Sequence, residues 1–253
     1  GSRIEKVNTT CVPMTESPHS LPRPEQVDRL LEQYRDLTAR FADRQLAALF
    51  ENAGAALLDF AERAESNAVQ ARFFEAMNQL QRGRANIETS FRAEIQAGFE
   101  RFYSGDGALI KQDSDNAGQE GFELSLVSPD EIEESVATEN LTLKAKSAYA
   151  AELYALSRRL AAITGRQRVK SDRIPAGPYH LVDAYRAALA GLDIAIKAKI
   201  VLYALFDRFV IKQAGALYDD VNQALADAGV LPDLKRIHAQ TGQRAPASGS
   251  DHH

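Results

Sequence analysis

Six cations stand close together within residues 158–173, where Asp172 is the one acidic residue. They are Arg158, Arg159, Arg166, Arg168, Lys170 and Arg173. Because a guanidinium group can hold a phosphate through two parallel hydrogen bonds, this basic segment is a candidate site for an anion or an acidic partner. Cations near the carboxyl end of a helix also stabilise the helix dipole without any ligand, so the sequence leaves a structural interpretation open. Few aromatic residues are nearby, which argues against stacking of single-stranded bases.

A second candidate group, Tyr203, Asp207 and Arg208, lies on an otherwise apolar segment. We predict a buried polar cluster here, in which Asp207 and Arg208 could pair with other helices and fix their register. The same side chains could instead line a pocket, which is the basis of a hypothesis that the chain is a helical enzyme of unknown reaction.

Three further sets of residues could do chemistry, but each has a simpler structural explanation. The acidic run could bind a hard cation. Acidic side chains in the first turn of a helix also stabilise the helix dipole, and we predict that these residues cap a helix. The two internal histidines have no Cys or His partner at metal-ligand spacing, and we predict hydrogen-bonding roles. An Arg-x-x-x-Arg spacing lacks the sequence element that accompanies it in cyclic dinucleotide receptors. These sets are Asp130, Glu131, Glu133 and Glu134; His180 and His238; and Arg35, Arg40 and Arg44. The sequence therefore predicts no catalytic residue, no metal site and no cofactor.

Composition limits the class of protein. A net charge of −5 argues against a chain that coats nucleic acid or an anionic membrane. The single cysteine, Cys11, can form neither an internal disulfide nor a zinc cluster, and indicates a reducing, cytoplasmic location. No uncharged run approaches the ~20 residues that a membrane-spanning helix needs.

The elements that must position these residues are helices. Apolar residues recur at spacings of three and four from Val27 to Ala64, in one helix or two, with Asp43 placed to cap the second. A third helix is capped by Ser66 or Asn67, with a plausible kink at Gly83. The capping box at Ser128 starts a helix that runs to Gly165.

The remaining helices are predicted to start at Gly177-Pro178 and at Asp193. The second of these is a long, central, buried helix that Gly229 and Pro232 terminate. The sequence thus predicts an all-α bundle of five to six mostly long amphipathic helices, with two sub-bundles as an option and a short strand expected at 122–127 alone. Its organisation is predicted as a flexible tail (1–23), an N-terminal helical sub-bundle (24–103), a flexible linker (104–121), a C-terminal helical sub-bundle (122–232) and a flexible tail (233–253).

Several motifs fall in a familiar order along the chain. They are Phe73-Phe74-Glu75-Ala76-Met77, Leu124-Ser125-Leu126-Val127, Ile174-Pro175-Ala176-Gly177-Pro178, Leu217-Tyr218 with Asn222, and Gly229-Val230-Leu231-Pro232. In these motifs the sequence resembles bacterial domain-of-unknown-function family 1631. The resemblance implies that the chain is the amino-terminal portion of a longer protein, and it carries over no catalytic residue.

For function, the sequence favours a non-catalytic protein-interaction or regulatory module of a larger cytosolic bacterial protein. Long amphipathic helices supply binding surfaces without chemistry, and the exposed face of residues 129–164 is predicted to contact a protein partner. A homo-oligomer is compatible with such surfaces. The alternative is a nucleotide or nucleic-acid binder that works through residues 158–173, and the helical enzyme is a third hypothesis.

Overall fold

The computed structural model describes residues 23–104 and 128–234, and these residues form an all-α bundle, as predicted. Its seven α-helices within the described residues are α1 (Pro24–Glu62), α2 (Asn67–Ser104), α3 (Pro129–Ala148), α4 (Ala150–Thr164), α5 (Pro178–Leu189), α6 (Ile196–Phe209) and α7 (Ala214–Asp227). Short 3₁₀ turns at Ser171–Arg173 and Ile211–Gln213 precede α5 and α7. The predicted strand at 122–127, the predicted linker and most of the two predicted tails lie outside the described residues, and the predicted domain organisation stays a prediction.

The first apolar stripe forms one helix of 39 residues, so Asp43 does not cap a second helix. Nothing in residues 42–46 breaks the helical pattern, and the Asp43 carboxylate instead accepts a hydrogen bond from Arg92 Nε of α2 at 2.5 Å. The second helix is also continuous through Gly83. A Cβ at Gly83 would lie 2.8 Å from Leu192 Cδ2 in the loop after α5, so the glycine lets this side chain approach α2 closely.

Residues 129–164 form two helices, not the single helix predicted. The chain bends at Tyr149, whose backbone dihedrals are −112° and 28°. The Tyr149 hydroxyl donates to the carbonyl of Ile211 at 3.0 Å, and its ring packs against Gly215 and edge-on to Tyr218 at 5.5 Å. Tertiary contacts of one aromatic side chain therefore set this bend, while the capping box at Ser128 and the left-handed Gly165 stand where the sequence predicts them.

The predicted long central helix is likewise two helices. It begins at Ile196, with Ala195 at the N-cap and no side-chain cap, so the prediction that Asp193 caps it is wrong. The 3₁₀ turn at Ile211–Gln213 separates α6 from α7. This turn lets α6 pack between α1 and α3, while α7 packs between α1 and α4.

One contiguous hydrophobic core joins all seven helices. At its centre the rings of Tyr185 and Phe206 stack with centroids 4.2 Å apart, and Phe91 meets both rings edge-on. The long α1–α2 pair holds α5, α6 and α7 against it. Within the described residues, the structure contains no helix long and apolar enough to cross a membrane.

Two glycines on the long helices are expected to respond to alanine in opposite ways. A Cβ at Gly98 would lie 2.1 Å from the buried ring of His180, whereas a Cβ at Gly54 would have no atom within 4 Å. We expect Gly98→Ala to lower the free energy of unfolding by about 1–3 kcal/mol through overpacking, and Gly54→Ala to raise it by roughly 0.5–1 kcal/mol through helix propensity. Urea unfolding of the two variants checks both values, and equal effects would contradict this packing of α2 on His180.

Candidate functional site

Arg159 is one of the six cations that the sequence offers as anion- or partner-binding candidates, and the structure places it inside the fold. Its side chain is 1% exposed. The guanidinium group donates from Nε to the Val230 carbonyl at 3.1 Å, from Nη2 to the Leu231 carbonyl at 3.2 Å, and from Nη1 to Asn222 Oδ1 at 2.7 Å. Arg159 therefore ties α4 to the end of α7 and is not accessible to a ligand.

The position of Arg159 follows from the helical period. It lies on the buried face of α4 with Leu156, Leu160 and Ile163. Burial lowers the pKa of its guanidinium group, but arginine keeps its charge in proteins. The carbonyl groups that it binds follow the carboxyl end of α7, where the helix dipole favours a cation. Arg159 therefore holds the segment that follows α7 against α4.

Arg166 also has a structural role. Its Nη2 donates to the Phe102 carbonyl at 2.8 Å, and its guanidinium carbon lies 4.7 Å from the centroid of the Phe102 ring. Phe102 is in the last turn of α2, whose final carbonyl groups have no partner within the helix. The structural interpretation of the basic segment therefore holds for Arg166 as well as for Arg159.

The other four predicted cations remain at the surface. Arg158, Arg168 and Lys170 are exposed, and Arg173 is half-buried. Arg158 and Arg168 line one groove together with Lys146 of α3, a residue that sequence reasoning missed because it lies outside the basic segment. Two of the six predicted cations, Arg159 and Arg166, therefore hold helices together, and two of the other four, Arg158 and Arg168, line a groove.

The predicted cluster of Tyr203, Asp207 and Arg208 is not a buried unit. Arg208 is exposed, with its guanidinium carbon 5.3 Å from the centroid of the neighbouring Phe209 ring. Asp207 is half-buried and pairs with Lys144 at 3.2 Å and with Lys212 at 3.5 Å. Tyr203 and Asp207, four residues apart, lie on one side of α6, and Arg208 lies about 100° further around the helix.

Tyr203 has other partners. Its hydroxyl donates to Glu134 Oε1 at 2.6 Å, and Lys199 Nζ lies 3.0 Å from Glu134 Oε2. Burial, and then the contact with Glu134, raise the pKa of the Tyr203 phenol well above its ordinary value. Since the phenol stays protonated near neutral pH, it can donate a hydrogen bond but cannot act as a base. This group joins α3 to α6.

The acidic run therefore has two structural uses. Glu131 accepts from the Ser128 backbone N–H at 2.8 Å in the predicted capping box, and Glu134 binds Tyr203 and Lys199. Within residues 23–104 and 128–234, no group of three or more His, Cys, Asp or Glu side chains could hold a metal ion.

His180 is a buried hydrogen-bonding residue, as predicted; His238 lies outside the described residues. Nδ1 of His180 accepts a hydrogen bond from the Ala176 backbone N–H at 2.9 Å, and Nε2 of His180 lies 3.2 Å from the Glu94 carbonyl oxygen. The first contact leaves Nε2 as the protonated nitrogen that donates to Glu94. Burial lowers the pKa of His180 to about 4, with a smaller contribution in the same direction from the charge of Arg101.

The turn at residues 174–177 is the irregular segment that His180 supports. It is buried, and Ala176 has a φ of 53°, a left-handed conformation that a residue with a Cβ seldom adopts. Tyr34 donates to the Pro175 carbonyl, and Tyr218 donates to the Ala176 carbonyl at 3.1 Å. Side chains from α1, α5 and α7 thus meet at one turn.

An apolar stripe on the outer face of α3 is the feature that sequence reasoning did not single out. Ile132, Val136 and Leu143 are 52%, 51% and 54% exposed, and with Glu139 they follow the 4-3-4 spacing of one helical face. The opposite face of α3 buries Leu141 and Ala145. The sequence signal for this stripe is a second row of apolar residues on α3, offset around the helix from the row that faces the core.

One of three comparisons with known proteins identifies a family. A family model described as "Protein of unknown function (DUF1631) N-terminal domain" matches residues 26–229. No curated protein and no solved structure matches the chain. The matched range includes α2 to α7 and nearly all of α1. Because the match extends over most of the sequence, the chain belongs to the DUF1631 N-terminal domain family.

Proposed function

We propose that this chain is a non-catalytic protein-interaction module that docks an amphipathic helix of another protein on the outer face of α3. The observation that carries the proposal is that α3 has two apolar faces. The inward face packs on α5 and α6, and the outward stripe of Ile132, Val136 and Leu143 has about half of its surface open to solvent. Contiguous exposed apolar surface of this kind marks interaction sites.

The stripe continues into a groove. Leu143 and Glu139 also line a cleft of about 370 Å³ between α3 and α5, where Tyr179 and Val182 form the opposite wall. The Tyr179 side chain is itself exposed. A large apolar side chain of the partner would enter this cleft while the rest of its helix follows the stripe, in the manner of helix-in-groove recognition.

Carboxylates outnumber cations around the stripe and its cleft, which favours a basic partner. Glu139 lies within the stripe and Glu133 beside it, and both side chains are exposed. The cleft is also lined by the carboxylates of Asp172 and Asp183 and by the cations of Lys146 and Arg186. A docking helix that presents Lys or Arg beside its apolar anchors would pair with these carboxylates. Burying the remaining apolar surface of each stripe residue contributes about 1 kcal/mol, so the cleft must supply the rest of the affinity.

Site-specific photo-crosslinking at position 136 tests the proposal. A benzophenone amino acid at Val136 of the full chain, irradiated in cells of the native host, should form an adduct with another protein through a segment that is an amphipathic helix with Lys or Arg. The double variant Ile132→Ser, Leu143→Ser should lose this adduct. The matched variant Leu58→Ser, Phe74→Ser, which removes exposed apolar side chains from α1 and α2, should keep it.

Two results would overturn the assignment. An adduct of the chain with itself would make the face a homo-oligomer interface, and a light-scattering mass that falls in the double variant would establish this. An adduct that the double variant retains would show that the stripe does not hold the partner.

A further inference from the structure

Arg158 and Arg168 line a groove of about 450 Å³ beside the amino-terminal half of α4. Its walls are the end of α3, the outer face of α4 and the loop that follows Gly165. This is a site of the size that small molecules occupy.

The groove is cationic on a chain of net negative charge. Lys146, Arg158 and Arg168 line it, and no carboxylate does. Lys146 also borders the cleft between α3 and α5, on the side away from this groove, where Glu139, Asp172 and Asp183 lie. Three positive charges at one concave surface that no carboxylate lines favour an anionic ligand.

Arg168 stands on a loop that the fold holds in place on both sides. Before it, Gly165 turns the chain with a φ of 67°, and Arg166 anchors the loop to Phe102. After it, Val169 is buried and its carbonyl accepts a hydrogen bond from the Ser157 hydroxyl. A pinned loop lowers the entropy that Arg168 loses when it binds a ligand.

Helix dipoles do not account for the arrangement. Lys146 is in the last turn of α3, where a cation stabilises the dipole. Arg158 lies more than a turn before the end of α4, and Arg168 lies outside any helix. Because the dipole effect falls off within the last turn, it explains one of the three cations.

We propose that this groove binds the phosphate groups of a small nucleotide. The two guanidinium groups would grip phosphate oxygens bidentately, and Lys146 would add a point charge. Ser171 and Gln167 offer a hydroxyl and an amide at the same wall, and the ring of Tyr154, which is 51% exposed, offers a surface for a base. The confined site fits a mononucleotide better than a polymer, which would require a continuous basic stripe along the protein surface.

Calorimetric titration of the full chain at low ionic strength tests this assignment, with adenosine triphosphate, guanosine triphosphate, inorganic triphosphate and adenosine as probes. We expect at least one nucleotide to bind more tightly than inorganic triphosphate, and adenosine alone not to bind. The double variant Arg158→Gln, Arg168→Gln should weaken binding by more than about tenfold, since each substitution removes a charge-assisted hydrogen bond to phosphate.

A matched control removes the same charge elsewhere. Arg40→Gln, Arg44→Gln replaces two exposed arginines of α1 and should leave the affinity unchanged. Equal losses in both double variants would show that net charge alone attracts the probes. Absence of binding by every phosphate probe, or tighter binding of an RNA oligonucleotide than of any mononucleotide, would also overturn the proposal. Inorganic triphosphate that binds as tightly as the nucleotides would overturn the role of Tyr154.

Discussion

Replacement of Arg159 with alanine is expected to lower the free energy of unfolding by about 3–5 kcal/mol, because the substitution leaves buried acceptors without their donor and opens a cavity. The guanidinium group satisfies the carbonyls of Val230 and Leu231 and the amide oxygen of Asn222, and alanine satisfies none of them. A buried acceptor left without a donor has a cost of about 1–3 kcal/mol, and the cavity adds to it.

The unusual backbone conformation of Leu231 also depends on Arg159. Leu231 has a φ of 46°, and a residue with a Cβ adopts this conformation only when its surroundings hold it there. Its carbonyl is one of the groups that Arg159 binds. Without the guanidinium group we expect the segment after α7 to relax toward ordinary dihedral angles, and Arg159→Lys to rescue little, because one ammonium group cannot reproduce the fork of donors.

The neighbouring arginine provides the control. Arg158 has the same side chain on the same helix but is exposed, and exposed substitutions usually change stability by less than about 0.5 kcal/mol. Guanidinium chloride or urea unfolding followed by circular dichroism gives both free energies. A loss for Arg158→Ala that matches the loss for Arg159→Ala would contradict the burial of Arg159.

The different burial of Arg158 and Arg159 could not be predicted from the sequence alone. Arg158 and Arg159 are adjacent, carry the same side chain, and were placed in one anion-binding cluster. Helical phase puts Arg159 on the apolar stripe of α4, but a buried arginine is acceptable only if acceptors meet it. Those acceptors are Asn222, Val230 and Leu231, 63 to 72 residues further along the chain. No local sequence pattern predicts contacts between residues at that separation.

Features that depend on neighbouring residues were predicted well. The capping box at Ser128, the left-handed Gly165 and the helix start at Gly177-Pro178 all stand where the sequence places them. Each is decided within a few residues of chain by backbone hydrogen bonds or allowed dihedral angles. The all-α class follows from the same local information, summed over the described helices.

The helix breaks were not predicted, because their causes lie elsewhere in the fold. Tyr149 bends the chain between α3 and α4 to reach Ile211 and Gly215. The predicted central helix divides at Ile211–Gln213 because α6 and α7 pack against different neighbours. Strong helical periodicity continues through both breaks, so tertiary packing overrides it.

Acidification is expected to destabilise the fold through His180, the one histidine among the described residues. Burial lowers its pKa to about 4 in the folded chain, against an ordinary value of 6.5. Between these two values the unfolded chain binds a proton that the folded chain does not. The free energy of unfolding should therefore fall as the pH drops from 6.5 to 4, by about 3 kcal/mol in total, and His180 should have no influence above pH 7.

The hydrogen bonds of His180 explain why its side chain stays neutral in the folded chain. Nδ1 of His180 accepts a hydrogen bond from the Ala176 N–H. A proton on Nδ1 would remove this acceptor and place two N–H groups against each other. The turn at residues 174–177 would lose one of the contacts that hold Ala176 at its positive φ. Loss of His180 neutrality is therefore expected to loosen the buried turn at which Tyr34 and Tyr218 also meet.

Urea unfolding from pH 4 to pH 8 measures this dependence, and His180→Asn is the matched variant, because its side-chain oxygen can accept the Ala176 N–H without titrating. The carboxylates titrate in both proteins, so the difference between the two curves isolates His180. We expect the variant to be less stable than the wild type at pH 7, since it loses the contact with Glu94, and the gap to narrow steadily below pH 6.5. Parallel curves would mean that His180 is protonated equally in the folded and unfolded chains, and would contradict its placement as a buried neutral side chain between α2 and the 174–177 turn.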